Sequence, residues 1–157
     1  MGGLIGSGFN QCCQIRHPVE PDNTASENGR FPIMGGILDL LAPYTETPVW
    51  VCVWNGYGDR ATATVDHDEL LALPQRGYVT YRGELEDLRH EAPWIDGPFE
   101  EWCFVDPDLI WPLSHEWMLA SDTDLDASYL GGPADLIRDF LDSPALDAAP
   151  AHLDDRL

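Results

Sequence analysis

The strongest candidate for chemistry in the sequence is a group of three carboxylates at alternating positions: Asp122, Asp124 and Asp126. They follow residues 116–121, whose pattern predicts a β-strand, and alternate side chains of an extended chain face the same side. Carboxylate oxygens are the ligands that Ca²⁺ and Mg²⁺ prefer. The run departs from the EF-hand pattern, because Ala127 occupies the glycine position and Pro133 that of the bidentate glutamate. Two interpretations stay open: a divalent-cation site, and an exposed acidic turn before a helix.

His115 and Glu116 precede this cluster and suggest an acid-base pair, since histidine carries protons near neutral pH. Adjacent residues on a strand point to opposite sides, which weakens that pairing. With His115 near the three aspartates, a bound metal ion would activate water, as in a metal-dependent hydrolase. His17 and His67 have no partner in the sequence, and we expect surface or structural roles for them.

Motifs for other chemistries are missing from the sequence. It contains neither GxGxxG nor GxxxxGK[ST], and it has no lysine to bind a phosphate. It also lacks the GxSxG motif of a serine nucleophile. The four cysteines, at positions 12, 13, 52 and 103, lack the spacing of a zinc site and are predicted to be thiols. No organic cofactor is predicted, and a divalent cation is the one cofactor hypothesis.

The charge balance is strongly acidic. Asp and Glu number 28 against 8 basic residues, all arginine, which gives a formal net charge of -20. Such a field repels phosphate backbones and anionic lipids, so direct nucleic-acid binding and membrane binding are disfavoured. Solubility or adaptation to salt would explain the acids. A basic protein partner, attracted by charge, would explain them equally well.

Aromatic residues suggest where such a partner would bind. Trp94 and Trp102 lie in a loop-rich acidic stretch together with Glu100 and Glu101. A tryptophan among carboxylates suits an interface that combines an aromatic anchor with charge. These four residues are the predicted partner-binding site, with packing against the edge of the core as the alternative role of the tryptophans.

Hydrophobic periodicity predicts the elements that would position these residues. Apolar spacing indicates helices over residues 33–41, from Asp66 to Leu73, and after Pro133. Apolar and β-branched runs indicate strands near residue 12 and over residues 49–54, 78–81 and 116–121, while residues 84–108 are predicted to be a loop with one helical turn.

The predicted order of elements is βαβαββα, which is typical of an α+β fold. We expect a single domain over residues 1–150, with a mixed or antiparallel sheet and helices mainly on one face, followed by an acidic C-terminal tail over residues 151–157. No apolar run is long enough to span a membrane and no signal peptide is evident, so a cytoplasmic location is expected.

Several motifs in combination resemble a family of uncharacterised proteins common in actinobacteria. They are Ser7-Gly8-Phe9, His17-Pro18, Trp54-Asn55-Gly56-Tyr57-Gly58, Trp111-Pro112, Trp117, Asp124-Leu125-Asp126, Tyr129 and Gly131-Gly132. The resemblance covers most of residues 3–150 and implies a bacterial, cytoplasmic, single-domain protein without a known activity. Asn55 and His115 depart from it, since Asp and Arg are expected at those positions.

Two functional hypotheses follow. The leading one is an acidic, non-enzymatic protein-binding module that binds a basic protein, in the manner of an immunity protein or an antitoxin. The alternative is a metal-dependent hydrolase that uses Asp122, Asp124 and Asp126. A DNA-mimicking inhibitor is a third reading of the same acidic composition.

Overall fold

One antiparallel sheet of eight strands forms the body of the protein in a computed structural model, which describes residues 9, 11–17, 31–57, 70–73, 76–89, 107–121 and 126–151. The strands are β1 Gln11–Arg16, β2 Val49–Trp54, β3 Leu70–Leu73, β4 Arg76–Gly83, β5 Leu109–Pro112, β6 Met118–Ser121, β7 Ala127–Gly132 and β8 Ala148–Ala151. Their order in the sheet is β3-β4-β2-β5-β6-β7-β1-β8, with every neighbouring pair antiparallel.

Within the described residues there are two α-helices, α1 (Phe31–Leu41) and α2 (Ala134–Asp142), and 3-10 helices at Ala42–Tyr44, Asn55–Tyr57 and Leu85–Arg89. The predicted fold class, a single α+β domain with a mixed or antiparallel sheet, is confirmed, and the sheet is antiparallel. Neither α-helix, in the part of the chain that the structure describes, is long and apolar enough to cross a membrane.

The main core lies between the sheet and the two helices. Strand residues alternate between the two faces, so every second side chain points toward the helices. Buried residues of both α-helices and of the 3-10 helix at Leu85–Arg89 join strand residues in one cluster, which includes Ile37, Leu41, Phe140, Leu88 and Ile15. Both helices therefore pack on the same face, as the sequence predicts.

Helix α2 shows how its sequence determines its orientation. Leu136, Ile137 and Phe140 recur at helical spacing and are buried, which places them on the side that faces the sheet. The remaining side is charged and exposed. Because the helix is only nine residues long, its stability depends on the burial of this apolar side.

The end of α1 is attached to the sheet through Trp117. The Thr45 hydroxyl donates to the Leu41 carbonyl oxygen at 2.8 Å, which satisfies one carbonyl freed where the α-helix ends before Pro43. The Trp117 side chain is fully buried, and its Nε1 donates to the Tyr44 carbonyl and to Thr45 Oγ1, both at 3.2 Å. The buried indole therefore has the polar partners that it needs.

A second, smaller cluster lies on the sheet face opposite the helices. Cys52, Tyr78, Leu109 and Ala120 are buried there, and half-buried Trp54, Trp111, Met118 and Tyr129 pack against them. Strand β2 thus has apolar contacts on both faces. Its unbroken apolar sequence predicts that position, and its pairing with β4 and β5 confirms it.

Several sequence predictions differ from the structure. Residues Leu70–Leu73 form β3 rather than the end of a helix, because they pair with β4, and such pairing overrides local propensity. Strands β5, β7 and β8 were not predicted. Ala151, the first residue of the predicted tail, belongs to β8 and pairs with Cys12, whereas residues 152–157 lie outside the described part.

Candidate functional site

Most of the site residues predicted from sequence lie outside the described residues. This applies to two aspartates of the carboxylate cluster, Asp122 and Asp124, and to the whole predicted partner-binding group: Trp94, Trp102, Glu100 and Glu101. Asp126 is described. It is exposed in the bend before β7, and its backbone carbonyl accepts a hydrogen bond of 2.8 Å from the His17 amide. The carboxylate cluster therefore stays a prediction.

His115, which the sequence places near the predicted aspartate cluster, lies at the far end of β6 from Ser121. His115 is exposed in the turn between β5 and β6, with a φ of 58°, in the left-handed region. Ser121, which adjoins the aspartate cluster, ends β6 at its other end. A four-residue strand separates the two by about 13 Å at the usual rise per residue. His115 and Glu116 thus lie at the opposite end of the sheet from Ser121 and Asp126.

Among residues that the structure describes, no three His, Cys, Asp or Glu side chains converge to hold a metal ion. Cys12, Cys13 and Cys52 are buried free thiols. Burial raises the pKa of Cys13 and of Cys52 to about 12, with Cys12 and Asp108 respectively adding to the effect. Since the thiolate is the reactive form, these two cysteines are unreactive near neutral pH.

A buried polar cluster lies on the helix face at the end of the sheet where β1 and β6 finish. His17 Nε2 lies 2.8 Å from Ser128 Oγ, and Ser128 Oγ in turn is hydrogen-bonded to Ser121 Oγ. Both serines are 3% exposed. They face each other in the β6–β7 register, which places their hydroxyls together.

The buried Asp108 lies beside this cluster, next to Ser121 in the extended β5–β6 ladder. Its carboxylate Oδ2 accepts a hydrogen bond of 2.6 Å from the Trp54 amide. Its backbone accepts one from Ser121 N at 2.7 Å and donates one to the Cys52 carbonyl at 2.8 Å. Asp108 thus connects the ends of three neighbouring strands: β2, β5 and β6.

A histidine nitrogen beside a serine hydroxyl is the geometry of a general base with its nucleophile. Both hydroxyls in this cluster are buried, and their partners are each other and His17. Hydrogen bonding of this kind removes the cost of burying polar groups. The arrangement supports a structural role, in which it holds the ends of β1, β6 and β7 in register.

Among the residues that the structure describes, the largest accumulation of exposed charge is on the helix layer. The 3-10 helix at Leu85–Arg89, α1 and α2 lie side by side, because α1 contacts both of the others. Their exposed carboxylates, with those of the adjoining turns, form what we call the acidic helix face: Asp39, Glu46, Glu84, Glu86, Asp87, Asp135, Asp139 and Asp142.

The arginines on this face leave most of its negative charge in place. Arg89 lies 2.7 Å from the Asp39 carboxylate and 2.6 Å from the Glu86 carboxylate, so it holds the 3-10 helix against α1. Arg138 is exposed on α2. The two guanidinium groups face eight carboxylates, and the face stays strongly acidic.

Positive charge collects on the opposite side of the sheet. Strand alternation directs Arg16, Arg76 and Arg82 away from the helices. The Arg76 guanidinium lies 5.1 Å from the centroid of the Trp54 ring, within the range of a cation–π contact. Among described strand residues, neither face carries a carboxylate. The described part of the molecule is thus polarised, with most of its exposed carboxylates on the helix side and the exceptions Glu116, Asp126 and Asp147 in turns.

The acidic helix face contains a cleft of about 310 Å³ beside the 3-10 helix. Its apolar wall is formed by Val51, Tyr81 and Leu88, and its rim by residues 82–84 and Asp87. Asp87 Oδ2 accepts a hydrogen bond of 2.8 Å from the Glu84 amide, which fixes this carboxylate at the rim.

Comparison of the chain with protein-family models, with curated proteins and with solved structures finds no match. The resemblance to the actinobacterial family therefore stays a prediction.

Sequence reasoning missed both the polar cluster and the cleft. The cluster joins positions far apart in sequence, and only the pairing of β1 with β7 brings them together. For the cleft a signal was present: Leu85 and Leu88 are spaced as one buried side of a helical turn that carries Glu86 and Asp87 on its outer side.

Proposed function

We propose that the protein is a non-enzymatic binding module whose acidic helix face engages a basic protein, in the manner of an immunity protein or an antitoxin. The observation that supports this proposal is the grouping of eight exposed carboxylates, six on three adjoining elements and two in the turns beside them. A formal net charge of -20 would attract a basic partner over distance. The polarised distribution of charge would then orient the partner toward the helices.

The shape of the surface favours a protein over a small substrate. The carboxylates spread over an outer face instead of converging in a pocket, and specific protein interfaces occupy about 800 Å² on each partner. Buried thiols and the sequence prediction of a cytoplasmic location are compatible with an intracellular partner.

An arginine-rich peptide labelled with a fluorophore provides a defined probe of the acidic helix face. We expect binding at about 50 mM salt, measured by anisotropy, and a clear loss of affinity as salt rises, since screening weakens contacts between exposed charges. The variant Glu46→Gln, Asp135→Asn, Asp142→Asn removes three carboxylates from the face. With each exposed pair worth about 0.3–0.8 kcal/mol, the affinity should fall roughly 5- to 50-fold.

A matched variant separates the effect of the acidic helix face on affinity from the effect of the net charge. Glu116→Gln, Asp126→Asn, Asp147→Asn removes the same number of exposed carboxylates from positions outside the acidic helix face. We expect this control to lose less than about 3-fold in affinity. Equal losses in the two variants, or no binding of the peptide by the wild-type protein, would contradict the proposal.

A further inference from the structure

We infer that the cleft beside the 3-10 helix receives the side chain of one arginine from the basic partner. This inference rests on the proposed function and specifies one anchor within the acidic helix face. Arginine is among the residues that most often dominate the energy of protein interfaces, and such residues occupy pockets that exclude water. A cleft of about 310 Å³ lies at the lower limit of ligand pockets, which run from roughly 300 to 1,000 Å³.

The apolar wall of the cleft suits the aliphatic part of an arginine. Val51 and Leu88 are buried, and Tyr81 is half-buried and packs against the main core. Val51 and Tyr81 are directly paired between β2 and β4, so they form one continuous surface. The methylene groups of an arginine can pack on such a surface while its charged end stays at the rim. The tyrosine ring also offers a flat surface on which a guanidinium can stack.

The rim offers a carboxylate that is already held in position. Asp87 Oδ2 accepts from the Glu84 amide, which leaves Oδ1 available for a second donor. Gly83 lets this carboxylate lie close to the backbone, because a Cβ at that position would lie 3.0 Å from Asp87 Oδ2. A carboxylate whose geometry is fixed before binding loses little conformational entropy when it forms an ion pair. Glu84, exposed on the same rim, adds to the negative charge.

Arg82 borders the cleft and does not block it. Arg82 follows Tyr81 on β4, and adjacent strand residues point to opposite faces. Tyr81 packs on the helix side, so the Arg82 side chain is directed to the far side of the sheet. Nearby Arg89 is engaged by Asp39 and Glu86. The net charge at the mouth of the cleft therefore favours a cation.

The first test compares two single substitutions on the same acidic helix face. Asp87→Asn removes the charge inside the cleft and keeps an oxygen that accepts from Glu84 N, whereas Asp142→Asn removes an equal charge outside it. We expect the affinity for the arginine-rich peptide to fall about 10-fold with Asp87→Asn and less than about 3-fold with Asp142→Asn. Equal losses would contradict the binding of an arginine in the cleft, and would leave the acidic helix face supported as the binding surface. Absence of peptide binding would instead contradict the proposed function itself.

A second measurement does not depend on a variant. Titration of the wild-type protein with N-acetylarginine amide should shift the methyl NMR signals of Val51 and Leu88 more than those of Leu136 and Ile137, which are buried under α2 away from the cleft. N-acetylcitrulline amide, which has the same shape without the charge, should produce no such shifts. Shifts of equal size with both compounds, or none at Val51 and Leu88, would overturn the inference.

Discussion

Nε2 of His17 lies 2.8 Å from Oγ of Ser128, although 111 positions separate the two residues. The contact continues to Ser121, so one chain of hydrogen bonds crosses the ends of β1, β7 and β6. These are three consecutive strands of the sheet, since β7 pairs with β1 on one side and with β6 on the other. The polar cluster therefore stabilises the end of the sheet at which β6 finishes, directly before the predicted aspartate cluster in the sequence.

Removal of the Ser128 hydroxyl, the middle group of this hydrogen-bond chain, tests the stabilising role of the cluster. Ser128→Ala would leave the buried Ser121 hydroxyl and His17 Nε2 without this partner, and an unsatisfied buried polar group costs about 1–3 kcal/mol. We expect the free energy of unfolding, measured by urea denaturation, to fall by that amount. Ser114→Ala, at an exposed serine in the β5–β6 turn, should change it by less than about 0.5 kcal/mol. Equal stability of the two variants would contradict a stabilising role for the cluster.

Tyr44 and Asp139 lead to a prediction about alkaline pH. The Tyr44 hydroxyl donates to Asp139 Oδ2 at 2.6 Å, and this hydrogen bond, together with burial and the charges of Asp139 and Asp135, raises the pKa of Tyr44 from 10.0 to about 12. Because the pKa is higher in the folded chain than in the unfolded chain, the associated stability is fully present below pH 10.0 and is lost as the pH rises toward 12.

An absorbance titration of tyrosinate should therefore lose, in Tyr44→Phe, a component that ionises near pH 12 in the wild-type protein. Between pH 10 and 12 the wild-type protein should lose more stability than Tyr44→Phe. Asp139→Asn removes the charge and keeps an acceptor, so its Tyr44 should ionise at lower pH than in the wild type. If Tyr44 ionised at the same pH in Asp139→Asn, the ascribed cause would be wrong.

The elements that sequence predicted correctly are those whose own side chains specify them. Helix α2 has an apolar stripe at helical spacing, and β2 has an unbroken β-branched and aromatic run. Strands β3 and β8 are short and sit at the two edges of the sheet, where pairing with β4 and β1 defines them. Local patterns contain no information about that pairing.

The sequence predicts that the candidate site is acidic, but it does not predict which residues form it. Composition alone predicts an acidic surface, whereas the packing of α1 between α2 and the 3-10 helix determines that Asp39, Asp87 and Asp139 share one face. The contact between His17 and Ser128 depends on strand register, and a shift of one residue would turn Ser128 to the other face. No local spacing specifies that register.

Gly56 explains one part of the Trp-Asn-Gly-Tyr-Gly motif. A Cβ at Gly56 would overlap atoms of the Trp54 indole, so only glycine lets the chain pass so close to that ring. Gly56→Ala must displace the indole, and we expect a loss of about 1–3 kcal/mol in stability with a change in tryptophan fluorescence. The Trp54 ring would also move relative to the Arg76 guanidinium.

Gly35→Ala is the matched control, since it is the same substitution inside α1, with no neighbouring atom within 4 Å of the added Cβ. Alanine favours helix over glycine by about 0.5–1 kcal/mol, so this variant should be more stable than the wild type. The two substitutions are thus expected to act in opposite directions. Equal effects would show that close contact with Trp54 does not constrain position 56.

Pro150 protects the open edge of the sheet at β8. The Arg16 amide donates to the Asp147 carbonyl at 2.9 Å, and hydrogen-bonded pairs alternate along an antiparallel ladder. By that alternation Gln14 and Ala149 form the next bonded pair, and the backbone groups of Ala148 and Pro150 point outward. Within the described residues β8 is the last strand of the sheet. Because proline has no N–H, this edge offers one donor fewer to another chain.

Pro150→Ala should therefore increase self-association. The high negative charge opposes contact between copies, so sedimentation velocity should be run at about 0.5 M salt, where repulsion is screened over a few Å. We expect a concentration-dependent dimer with Pro150→Ala and none with Pro144→Ala, which changes an exposed proline in the turn after α2. Identical sedimentation of the wild-type protein and Pro150→Ala up to high concentration would show that something other than the missing N–H prevents strand addition at β8.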